Sequence, residues 1–168
     1  MNKPPSQRRG LRRLPHFDYT ATTAYFVTIC THDRDCCLSV VENGCAVLTD
    51  LGFIVERFWN NVPEHYPAAL DVFVIMPNHV HAILFIQEDQ RAGRRPALHE
   101  IVRSFKTFSA IALNKARGAT GQSFWQRNYY ERVIRNEREL HKVREYIINN
   151  PVKWLLNRES HDKIEWEK

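Results

Sequence analysis

At 168 residues, 43% of them hydrophobic, the chain can bury one good core and leaves little room for a second domain. It has no run of 18 apolar residues, and its leader MNKPPSQRRGLRRLP carries basic charge and prolines with no apolar stretch behind them, which excludes a membrane span and a secretory signal and predicts a cytoplasmic location. The net charge of +5 favours a polyanionic partner.

In chain order, residues 1–18 are too poor in apolar groups to fold alone and crowd Arg8, Arg9, Arg12 and Arg13, as expected of a flexible arm that lies along phosphates. A single domain is expected over residues 19–156, with a C-terminal tail over 157–168. AYFVTICT, residues 24–31, is a β-branched and aromatic run and predicts a strand. CLSVVENGCAVL sets Asn43-Gly44 between two apolar runs, the mark of a tight hairpin. Cys30, Cys36, Cys37 and Cys45 form no CxxC pair and are read as reduced thiols; a zinc site from Cys30, His32 and Cys36 fits no closed tetrahedral pattern. Thr49 or Asp50 can cap a helix through LGFIVERFWNN, which Pro63 should stop. LDVFVIM and HVHAILFI predict adjacent strands joined at Pro77-Asn78.

A polar loop then leads to a helix over residues 98–116, with Ile101, Phe105, Phe108 and Ala112 inward and Arg103, Lys106 and Lys115 mostly outward. NYYERVI predicts a further strand. Asn136 and Glu139 form an Asn-x-x-Glu start for a last helix, which should end at Pro151. With the hairpin set aside, the order β-α-β-β-α-β plus one helix predicts an α+β, ferredoxin-like antiparallel sheet with helices on one face and an added C-terminal helix.

The chemistry-bearing residues gather in two stretches. In a strand, His79 and His81 point to the same side with Cα atoms about 6.6 Å apart, close enough to share an ion. The bland alternative is a hydrogen-bonded histidine pair, because a metal site normally takes three ligands or more. In NERELHKVREYIINNP, Leu140, Val143 and Ile147 form the inward stripe, and Tyr146 and Asn150, four residues apart, lie along one edge of it. A tyrosine beside an amide and a His pair suggests phosphodiester chemistry, with the phenolate attacking phosphorus and a divalent ion polarising its oxygens. Lys142 or Arg144 could assist the phenol.

MPNHVHAILFI, FWQRNYYERVIRN and REYIINNPVKW, three motifs in one order, together resemble the REP-associated tyrosine transposases, a branch of the single-tyrosine HUH transposases, over residues 19–154. The resemblance implies a ferredoxin-like sheet with the nucleophile, Tyr146, on a following helix. It implies His79 and His81 as metal ligands and Asn150, where relatives often carry glutamine, completing a site for Mg2+ or Mn2+. The implied activity is metal-dependent cleavage and strand transfer of single-stranded DNA through a 5′-phosphotyrosine, at REP-type hairpins. Replacing one ester by another lets a DNA end be rejoined without ATP.

Trp125, Arg127, Tyr130 and Arg132 mix aromatic and cationic groups suited to stacking unpaired bases and holding phosphates, and Arg103 and Lys106 add cations to that expected surface. Arg132 stands where relatives commonly carry a histidine. The expected partner is single-stranded or hairpin DNA, with no membrane, and a homodimer is left open. Two alternatives stand beside this reading: a catalytically silent hairpin-DNA-binding protein, and a replication-initiator or relaxase-like HUH nickase.

Overall fold

The computed structural model describes residues 22–88 and 93–156. The expected arm with Arg8, Arg9, Arg12 and Arg13, and the expected tail, lie outside the described residues.

The central sheet joins β1 (Thr23–Cys30), β4 (Ala68–Met76), β5 (His79–Ile86) and β6 (Tyr130–Ile134) in the order β4-β5-β1-β6, every pair antiparallel. This is the ferredoxin-like arrangement expected from the element order. β6 starts two residues later than the NYYERVI run suggested. The hairpin of β2 (Ser39–Glu42) and β3 (Cys45–Leu48) forms a separate two-stranded sheet. Its turn needs positive φ at both central positions, and Asn43 (51°) and Gly44 (74°) supply it.

Thr49 opens α1 (Asp50–Asn60): its hydroxyl oxygen accepts from the backbone N–H of Gly52, 3.2 Å, and donates toward the Cys37 carbonyl, 2.7 Å. Gly52 is required by close approach, since a Cβ there would overlap the Leu38 carbonyl oxygen. Pro63 ends α1 and sits in the first turn of α2 (Val62–His65). The inward face of α3 (Leu98–Ala116) carries Ile101, Val102, Phe105, Ser109 and Leu113. Phe108 is not on it: the residue is 58% exposed, because the buried stripe passes through Ser109.

Asn136 caps α4 (Glu137–Leu156), with Oδ1 accepting from the Glu139 N–H at 2.8 Å while Glu139 accepts from the Arg135 N–H at 2.9 Å. Pro151 does not end this helix. It lies inside, buried, and the chain continues helically to Leu156. An interior proline removes one backbone hydrogen bond and costs on the order of 3 kcal/mol. The residues beyond it make contacts with the site described below.

The sheet has two covered faces. Val27, Ile29, Val80, Ala82, Leu84 and Ile86 face α1 and α3 and join Trp59, Phe105 and Trp125 in the larger core. Ala24, Phe26, Ile83 and Phe85 face α4 and meet Leu140 and Ile147. β5 is buried along its whole length because both faces are covered. β4 changes phase at a bulge between Leu70 and Phe73. Before it Ala69 packs toward α4; after it Val72 and Val74 do. Asp71, two residues after Ala69 and within the bulge, faces α4 and pairs there with Arg144.

Candidate active site

The strand period puts His79 and His81 on the α4 side, between Val80 and Ala82 of the opposite core. Both are buried, at 8% and 1% exposure, rather than on a half-exposed face. Each ring is oriented through Nδ1: His79 by Asn78 Oδ1 at 2.7 Å, and His81 by Thr28 Oγ1 at 2.8 Å. Thr28 can do this because the register sets it directly opposite His81. With each Nδ1 engaged in this way, the two Nε2 atoms converge at 3.1 Å. Burial, and after it the neighbouring His79, hold the His81 imidazole well below its ordinary pKa, so the ring stays neutral and able to ligate.

This pair fits a divalent ion. Two imidazole nitrogens each about 2.1 Å from one metal can stand 3.1 Å apart, the separation of the two Nε2 atoms here. Among the described residues no cluster of three His, Cys, Asp or Glu side chains could hold a metal, Cys30, His32 and Cys36 included. Among the described residues a third donor would be of another type, as an amide carbonyl is.

Tyr146 approaches from α4. Its hydroxyl lies 3.4 Å from His81 Nε2, and its ring meets His81 at 5.2 Å and the edge of Phe26 at 6.1 Å. Burial pushes the phenol above its ordinary pKa, and a hydrogen bond with Asn150 works against that shift. Asn150 is itself buried, one turn on. Past Pro151, Lys153 sets its ammonium 5.2 Å from the Tyr146 ring centre, and the Trp154 ring lies tilted beside His79 at 6.0 Å. These two contacts exist only because the helix does not stop at the proline.

The four residues proposed for chemistry therefore come together, whereas the expected DNA contacts divide. Tyr130 is 38% exposed, lies edge-on to Phe26 at 6.1 Å and pairs across the sheet with Thr28, which brings it beside the site. Arg132 is exposed and binds Glu139 at 2.5 Å. Arg103 and Arg127 are exposed. Lys106 instead donates to the carbonyls of Gln126 (2.6 Å) and Arg127 (2.8 Å), so it holds a loop. Trp125 is no stacking platform: it is 5% exposed, packs on Phe105 and donates its indole N–H to Ser109 Oγ at 2.9 Å. Arg144 does not assist the phenol, because its guanidinium is held by Asp71 at 3.0 Å. Thr28 and Asp71 were missed because each acts through a partner more than fifty residues away, and Lys153 because it lies beyond the proline. Asn78 was in plain view, immediately before His79.

The family model described as Transposase IS200 like matches residues 40–150. Over 164 residues the chain is 35% identical to an uncharacterized protein of Haemophilus influenzae, covering 88% of this chain and 89% of that one. It is 30% identical over 139 residues to a second H. influenzae protein, named for the REP-associated tyrosine transposases, covering 81% and 74%. Among solved structures, a REP-associated tyrosine transposase bound to a REP hairpin is similar with a TM-score of 0.58 at 22% identity, covering 78% of this chain and 67% of that one. A transposase structure from Deinococcus radiodurans R1 gives 0.53 at 17%, covering 83% and 97%. These two likenesses show the shared fold. The matched family and the named relative show that the chain belongs to the IS200-like transposases, in their REP-associated tyrosine transposase branch.

Proposed function

We propose that this chain is a metal-dependent single-stranded DNA endonuclease and strand transferase that acts at REP-type hairpins through a 5′-phosphotyrosine on Tyr146. The observation that carries the reading is the meeting of a nucleophile and a ligand pair: Tyr146 Oη is 3.4 Å from His81 Nε2, which is 3.1 Å from His79 Nε2. His79, His81 and Asn150 would hold Mg2+ or Mn2+. When bound, the ion supplies a Lewis acid that polarises the phosphate oxygens.

The protein's own groups do the rest. Thr28 and Asn78 fix the two imidazoles. Phe26 braces both His81 and Tyr146. The Arg144–Asp71 pair ties α4 to β4 two residues before the nucleophile. Tyr146 Oη gives up its proton and forms the bond to phosphorus as the 3′-oxygen leaves with the pair of electrons and takes up a proton to become the free 3′-hydroxyl, so one phosphodiester becomes another and the step is reversible. Hairpin DNA is the proposed partner because a relative of the same fold carries one.

The test is a 5′- and 3′-labelled hairpin with single-stranded flanks, incubated with Mn2+ or with EDTA. Cleavage of one strand with a covalent adduct is expected with the metal and is expected to vanish in Tyr146→Phe, which should fold and bind normally. Binding without cleavage under every metal condition would instead support the catalytically silent alternative.

A further inference from the structure

An open groove of about 450 Å³ runs between the end of β6 and the first turns of α4, lined by Arg132, Arg135, Asn136, Arg138, Glu139 and Lys142. Its single carboxylate is already engaged, since Glu139 is bound by Arg132 and by the Arg135 backbone N–H. Among the described residues Arg138 and Lys142 have no such carboxylate partner, and both are exposed.

The groove's cations lead along α4 toward the nucleophile. Arg138, Lys142 and Tyr146 are spaced four residues apart on α4, so they form one row with about 6 Å of rise between neighbours. Across from that row on β6 stand Arg132 and Tyr130, whose cross-strand partners are Phe26 and Thr28. Phe26, buried beneath them, makes edge contacts with both Tyr130 and Tyr146 and so links the β6 side of this surface to the nucleophile. A cation at each helical turn, ending at a nucleophile and flanked by a half-exposed aromatic ring, matches an extended strand with one phosphate and one unstacked base per step.

We propose that this groove is the track for the single strand next to the scissile phosphate, with Lys142 and Arg138 meeting successive phosphates and Tyr130 stacking a base. The assignment rests on the functional reading above for which phosphate is cut, but the binding it describes is independent of cleavage. It separates the groove from the hairpin stem: the track takes single strand.

The test uses the full chain in EDTA, so that no cutting contributes, with fluorescein-labelled (dT)12 and, separately, a blunt stem-loop without flank, across a range of salt. Arg138→Gln/Lys142→Gln should weaken (dT)12 binding about tenfold and flatten its log–log salt slope by about 1.4, because each lost phosphate contact on a single strand contributes about 0.7. The stem-loop affinity should hold. Lys115→Gln, an exposed cation on α3, should change neither, and an unaltered thermal midpoint will show that the double variant is folded. An unchanged (dT)12 slope would overturn the track, and so would an equal loss on the stem-loop, which would make the groove a duplex contact. Cleavage retained in Tyr146→Phe with these binding results intact would overturn the functional reading and leave the track standing, whereas cleavage lost in Tyr146→Phe with an unchanged (dT)12 slope would overturn the track alone.

Discussion

Along β5, residues 80, 82, 84 and 86 turn toward α1 and α3, while 79, 81, 83 and 85 turn toward α4. The first side is filled by large apolar groups, Trp59, Phe105 and Trp125 among them. The second has a smaller apolar cluster interrupted by Thr28, His79, His81, Tyr146 and Asn150. One strand thus carries both a core and a site, distinguished by parity. Burying polar groups is tolerated on the α4 side because each is paired: His79 by Asn78, His81 by Thr28, Tyr146 by His81 and Asn150. Stability should therefore respond mainly to changes on one face and activity mainly to changes on the other.

The largest expected effect lies on the α4 face. His81→Ala or His79→Ala, or chelation of the wild type, should reduce cleavage on the order of 10²- to 10³-fold, the loss of a Lewis acid worth several kcal/mol, as measured by single-turnover gel assays. Hairpin affinity should change little. On the opposite face, Trp125→Ala deletes a buried indole and its bond to Ser109, and should lower unfolding free energy by about 3–5 kcal/mol in urea titrations. The surviving folded fraction should still cut DNA, because Trp125 belongs to the core and not to the stacking surface.

How far the sequence foretold this division depends on the range of the interactions involved. The strand period already placed both histidines on one side, and the helix period placed Tyr146 beside Asn150. The element order gave the sheet topology. Long-range facts were out of reach. The bulge at Asp71 breaks strict alternation, and nothing local announces the Arg144 partner that makes it useful. Trp125 looked like a loop aromatic among cations, yet its bridge to Thr31 carries it into the core. Pro151 was misjudged for a physical reason: the local rule prices the lost hydrogen bond but not the contacts that Lys153 and Trp154 make with Tyr146 and His79.

Smaller effects sharpen the comparison. Asp71→Asn removes the charge that holds Arg144, a pair at 9% and 21% side-chain exposure. About 1–3 kcal/mol of stability should be lost, with a lower turnover than the stability change alone explains, because α4 carries the nucleophile. A charge exchange, Asp71→Arg with Arg144→Asp, should restore part of both, as read by thermal melts and turnover side by side. Tyr130→Phe keeps the ring and should leave cleavage and the adduct close to wild type. Tyr130→Ala should weaken single-strand binding by about 1–3 kcal/mol in fluorescence titrations.

The claim that Tyr146 is the nucleophile is tested most directly by isolating the covalent protein–DNA adduct, digesting it with nuclease and trypsin, and locating the attached nucleotide by mass spectrometry. Residues 145–153 form one tryptic peptide, EYIINNPVK, whose only tyrosine is Tyr146, and residues 128–132 form another, NYYER, with Tyr129 and Tyr130. The phosphonucleotide is expected on the first peptide, at Tyr146. Its appearance on the second, or the absence of any adduct while the strand is cut, would contradict the account.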